Sequence, residues 1–191
     1  MATLGAGRLR RQWIAAAFVC VVLTGAGIHG QTPKSSEYQV KAAYLYSFGR
    51  FVAWPSTTPK APTFAICVLG RDPFGEALEA VGAGVTIDGQ PAAIRRLDHA
   101  RDAGGCRVLF ISASEDRELD RVFSTLGKSA ALTVSDLPDF TRRGGMIQFV
   151  IDANRVRFEV NLAAADDAGL VLSSELLKVA LAIRRTSRPG A

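Results

Sequence analysis

The sequence predicts an α/β domain, a mostly parallel sheet flanked by helices with an antiparallel hairpin at one edge. Three observations predict it. TFAICVLG (63–70) and CRVLFISA (106–113) are short, continuously apolar runs, the pattern of strands covered on both faces. Each is followed by helical text, the alternation that builds a parallel sheet. MIQFVI and RVRFEVN then flank Asp152-Ala153-Asn154 as a hairpin would.

Taken in order, residues 31–36 read as a short linker and EYQVKAAYLYSFGRFVAW (37–54) as a helix, with Val40, Tyr44, Phe48 and Phe51 at near-helical spacing. Pro55 and Pro59 stop it. The strand 63–70 turns through RDPFG into a short helix, FGEALEAVG. Asp88-Gly89 divides VTIDGQPAAIRRL into two apolar pieces, the cue for a hairpin or a strand with a bent partner. After the second strand comes SEDRELDRVFSTLG, a helix with Ser114 as its cap and Leu119, Val122, Phe123 and Leu126 as its apolar stripe. ALTVSD is a third strand, and DLPDFTRRGG a loop or short helix. On the last hairpin arm Val156, Phe158 and Val160 alternate with Arg157, Glu159 and Asn161, one face buried and the other wet. Asn161 caps LAAADDA, Gly169 ends it, and SSELLKVALAI begins a further helix with Leu176, Val179, Ala180 and Ile183 on its apolar face. Residues 37–185 form the domain and 186–191 a frayed tail.

Of 191 residues, 48% are hydrophobic and 21% charged, which excludes an extended disordered chain. The formal charge of +5 sits largely at one end: without Arg8, Arg10 and Arg11 the balance is 20 basic to 18 acidic residues. That near-neutral body lacks the dense basic surface a polyanion requires, so no nucleic acid partner is expected. The same three arginines precede an apolar run, Trp13 to Leu23, and the small residues TGAGIHG. Basic start, short apolar run and small-residue exit form a secretory signal, and the run is too short to span about 30 Å of hydrocarbon. Residues 1–30 are read as a cleaved leader, with cleavage after Ala26 or Gly30, general secretion rather than the twin-arginine route, and a periplasmic product. The bulky Phe18 ahead of Cys20 argues against a lipoprotein signal.

The remaining chain keeps Cys67, Cys106 and His99. In an oxidising compartment the two cysteines form one bridge or stand as separate buried thiols; a bridge closing about 40 residues stabilises by about 4 kcal/mol. One histidine without a G-x-S-x-G turn gives no nucleophilic triad, and no metal or cofactor set is visible. The turn Gly70 to Gly75 lacks both G-x-G-x-x-G and a Walker lysine. In open α/β sheets ligands sit beyond the strands' carboxyl ends, here a rim of Arg71, Asp72, Ser112, Ser114, Ser135 and Asp136. Six of the 15 aromatic residues, Tyr38, Tyr44, Tyr46, Phe48, Phe51 and Trp54, crowd into the first helix. Either all pack inward or some face a partner or ligand; Tyr44, Phe48 and Trp54 are the candidates.

EYQVKAAYLYSFGRFVAWP, ICVLGRDPFG, CRVLFISASE, LTVSDLPDFTRRGGMIQFV and VRFEVNLAAADDAGLVLSSELLKVA follow the order seen in the YfiR family, and over 37–182 the chain resembles that family. The resemblance implies a non-catalytic periplasmic α/β domain. It would bind and repress the periplasmic sensory region of an inner-membrane diguanylate cyclase or sensor kinase, and so control cyclic di-GMP and biofilm formation. It also implies an outer-membrane lipoprotein as a second partner, and leaves a homodimer open. Cys67 and Cys106 match a structural disulfide of the family; a second cysteine pair found in some members is absent. Glu159 falls in a block tied to partner contact. A periplasmic small-ligand-binding protein, using the strand-end rim or the aromatic helix, is the alternative function.

Overall fold

The structure, a computed structural model, describes residues 33–59 and 61–185. The leader expected over 1–30 and the tail over 186–191 lie outside the described residues. No described helix is long and apolar enough to cross a membrane.

Helix α1 runs Pro33–Phe51. Proline suits the first helical position, where its missing N–H would have no partner anyway, and the helix therefore takes in residues expected to be linker. It stops three residues short of Trp54, because Val52–Ala53 (β1) leave it to pair antiparallel with Val171–Leu172 (β9). Ser173 N–H extends this small ladder onto Phe51 C=O at 2.8 Å.

The main sheet contains β2 (Phe64–Leu69), β3 (Thr86–Ile87), β4 (Gln90–Leu97), β5 (Cys106–Ile111), β6 (Leu132–Ser135), β7 (Ile147–Asp152), β8 (Arg155–Asn161) and β10 (Ala182–Arg184). Its order is β10-β8-β7-β6-β5-β2-β4-β3. Strands β4, β2, β5, β6 and β7 are parallel, whereas β8 runs against β7 and β3 against β4. Both hairpins turn on two left-handed residues, Asp88 and Gly89 in one, Ala153 and Asn154 in the other. Their mirror-image twist matches that of the strands they join. Strands β2 and β5 are buried along their whole length.

Two cores flank the sheet. On one side α1 and α2 (Ala77–Gly82) meet the rings of Phe64, Phe110, Phe149 and Phe158. On the other, α3 (Leu119–Leu126) and Phe140 cover Ala65, Cys67, Leu109 and Ile111. Cys67 and Cys106 are bonded, with their Cα atoms 5.9 Å apart, so the bridge joins β2 and β5 inside this second core.

Four local expectations are corrected. A 3-10 turn, Ala113–Glu118, precedes α3, and Ser114 caps nothing: its hydroxyl turns away to accept the Arg71 N–H at 2.9 Å. Asn161 is buried rather than wet, because its side chain caps α4 (Leu162–Asp167) through Ala164 N–H and donates to Thr141 C=O. Helix α5 spans only Ser174–Val179; Ala180 is extended, and the next residues become β10 alongside β8. Val179 and Ile183, expected on a buried helical face, are exposed.

Candidate functional site

Five parallel strands in the order β4-β2-β5-β6-β7 place a topological switch between β2 and β5, the usual position of a ligand crevice. Here the two loops close on each other. Ser112 Oγ donates to Arg71 C=O at 2.6 Å, and Gly70, at φ +83°, lies where a Cβ would overlap Ser114 Oγ and Glu115 Oε1. Arg96 closes the adjoining side, pairing with Asp72 and Glu79 at 2.7 Å each. Its guanidinium, hydrogen bonded to Glu79, holds that carboxyl below the ordinary range. Ser135 Oγ is likewise spent on Ile111 C=O and Leu137 N–H. Ser114 Oγ donates to Glu115 Oε1 at 2.9 Å, so at the switch the predicted rim is a knot of side chains.

The rim's last member, Asp136, belongs to a cluster the sequence did not reveal. Lys41 is 3% exposed and its ammonium lies 2.7 Å from Asp136 Oδ2 and 2.5 Å from Glu37 Oε1. Tyr38 donates to the same Asp136 oxygen at 2.8 Å, and the ammonium stands 4.4 Å from the Tyr38 ring centroid. Burial raises the Tyr38 phenol well above its ordinary pKa, and the hydrogen bond and negative charge of Asp136 raise it further. Glu37 lies four residues before Lys41, a pairing readable from sequence. Asp136 is 95 residues away and could not be found that way. A cavity of about 380 Å³ opens beside the cluster, lined also by Gln148, Phe149 and Ile151.

The aromatic candidates separate. Phe48 is 0% exposed, wedged against Phe149 and Phe158, and offers no surface to a partner. Tyr44 is half-buried and packs on the same rings. Trp54 is half-buried beyond the helix end, edge-on to Phe64. Of the six crowded rings only Phe51 is exposed, so most of the crowding builds the core. Glu159 is half-buried on β8, 3.5 Å from Thr141 Oγ1, and the same threonine's N–H is bonded to Gln148. His99 is exposed, as expected of a surface histidine. Among the described residues no three His, Cys, Asp or Glu side chains converge as a metal site.

Fold and rim together define a doubly wound α/β domain whose strand-end loops are occupied by structural contacts. The YfiR/HmsC-like family model matches residues 38–181, and the chain belongs to that family of periplasmic regulators in cyclic di-GMP signalling. Two solved structures are similar at 11% identity each. A conserved domain protein from Vibrio cholerae covers 63% of this chain at a TM-score of 0.48. The ABC domain from Streptococcus pneumoniae, in complex with L-Trp, covers 79% at 0.49. This chain spans 54% and 60% of those two chains, respectively.

Proposed function

We propose that the protein is an exported, non-catalytic regulator, with residues 1–30 as its leader, that binds the periplasmic sensory region of an inner-membrane diguanylate cyclase and represses it. The observation that carries this reading is the family match across 38–181, nearly the whole described domain. The chemistry supports it: Ser112 and Ser135 are committed to backbone contacts, and His99, the one histidine among the described residues, is exposed. Repression then comes from binding one state of the sensory region more tightly than another, and the shift cannot exceed that difference in affinity. Glu159, on the face of β8 not covered by α1, and the half-buried Tyr44 and Trp54 are the contact candidates.

The test is cellular cyclic di-GMP in a deletion strain complemented with wild type or Glu159→Lys. Deletion is expected to raise cyclic di-GMP and surface attachment several-fold, with wild type restoring the low level and the variant failing to do so while accumulating normally. Unchanged cyclic di-GMP on deletion sinks the proposal.

A further inference from the structure

At the opposite edge of the sheet, where the parallel strands begin, one cation has been left without a countercharge. Arg107, second residue of β5, is only 9% exposed. Its Nη2 donates to Pro59 C=O at 2.9 Å, but its Nη1 is buried with no acceptor, and among the described residues no carboxylate forms an ion pair with it. The indole of Trp54 stands beside it, its centroid 5.8 Å from the guanidinium carbon, and the indole Nε1 is also buried without an acceptor. A buried guanidinium without an anion is costly, and so is each buried N–H without an oxygen. Two such donors on neighbouring side chains make a place that is incomplete as it stands.

Two cavities meet at Arg107. One, of about 400 Å³, is walled by Trp54, Pro55, Phe64 and Gln90; the other, of about 590 Å³, lies across residues 55–59. Gln90 donates one amide N–H to Ala61 C=O. Asp88 lines the first cavity, and its negative charge disfavours a dianion such as phosphate. In the first cavity aromatic and proline walls, one guanidinium and one indole N–H favour a singly charged group on a small apolar body, whereas the second is lined also by Lys128 and Asp167.

We propose that Arg107 and Trp54 hold a small organic carboxylate at the amino-end edge of the sheet, one N–H from each side chain donating to it. The guanidinium and indole are shielded from bulk water, where a charge-assisted hydrogen bond is strong. The site shares Trp54 with the contact candidates named above but stands apart from Glu159 and from the strand-end rim, and carboxylate binding does not depend on the cyclase reading. A free metabolite and the carboxyl terminus of a polypeptide present the same chemistry.

The experiment titrates the full chain with sodium benzoate and with benzamide, its neutral counterpart, following heat of binding and thermal unfolding. Benzoate is expected to bind saturably at one site and raise the melting temperature, with benzamide at least about tenfold weaker. Arg107→Met should abolish benzoate binding; Trp54→Phe, which keeps the ring and removes the N–H, should weaken it about tenfold. A tripeptide ending in a free carboxylate, set against its carboxyl-terminal amide, separates the sources: displacement of benzoate by the acid form alone assigns a polypeptide terminus, and its failure to compete assigns a free metabolite. Absence of saturable benzoate binding, equal binding of benzamide, or wild-type affinity in a folded Arg107→Met or Trp54→Phe protein overturns the proposal.

Discussion

Lys41 shows what a single residue's place in the fold can hide. An ammonium in a helix reads as surface, and only the meeting of α1 with the end of β6 puts it under Asp136. Its neighbour Tyr38 gives the cluster a measurable signature. Burial and the Asp136 carboxylate raise the phenol's pKa, so above about pH 10, where a free tyrosine ionises, the unfolded chain gives up this proton before the folded one does. The folded state then binds more protons than the unfolded state, and stability falls as pH rises. Tyr38→Phe should lose about 1.5 kcal/mol near neutrality, the worth of a hydrogen bond to a charged acceptor, and should lose less than wild type on going from pH 9 to 11. Urea unfolding across that range reads both effects; parallel curves for the two proteins would refute them. Arg107 was hidden for a related reason, since CRVLFISA reads as strand whatever its arginine touches, and only the fold shows which atoms go unpaired.

At the scale of elements, periodicity was reliable where one face met the core and misleading where a backbone edge decided. The Asp88-Gly89 turn and the hairpin around Ala153 and Asn154 were legible from turn chemistry and alternation. The strands β2 and β5 were legible because they are apolar throughout. Strand β10 was not. Leu176, Val179, Ala180 and Ile183 fit a helical spacing, yet the free outer edge of β8 offers backbone hydrogen bonds that a longer α5 would forgo. Leu181 N–H takes the first of them, to Phe158 C=O at 2.8 Å. Leu181→Pro removes that donor and should raise amide exchange in 182–184 about tenfold while leaving β5 and β6 protected. Unchanged exchange in 182–184 would show that β10 is held by something other than this edge.

Across the whole molecule, the alternation of strands and helices gave the class, and the resemblance of five sequence blocks gave the family now matched over 38–181. Neither gave the closed switch point, which depends on Ser112 and Ser114, 41 and 43 residues from Arg71, bonding that residue's C=O and N–H. The disulfide acts at this scale because it ties the two central strands across 39 residues of chain. Replacing Cys67 and Cys106 together by alanine should cost about 4 kcal/mol, measured by denaturant unfolding against the oxidised protein. A loss below about 1 kcal/mol would mean that packing alone sets the register of β2 on β5.

The opening helix is walled by Phe149 and Phe158, rings from the penultimate stretch of the polypeptide, and its last turn is fastened by Ser173. A molecule delivered amino end first must therefore wait for most of its length to arrive before that helix finds its wall. Until then the helix lacks the aromatic wall on which it packs, and its burial is one of the late, long-range contacts of the fold.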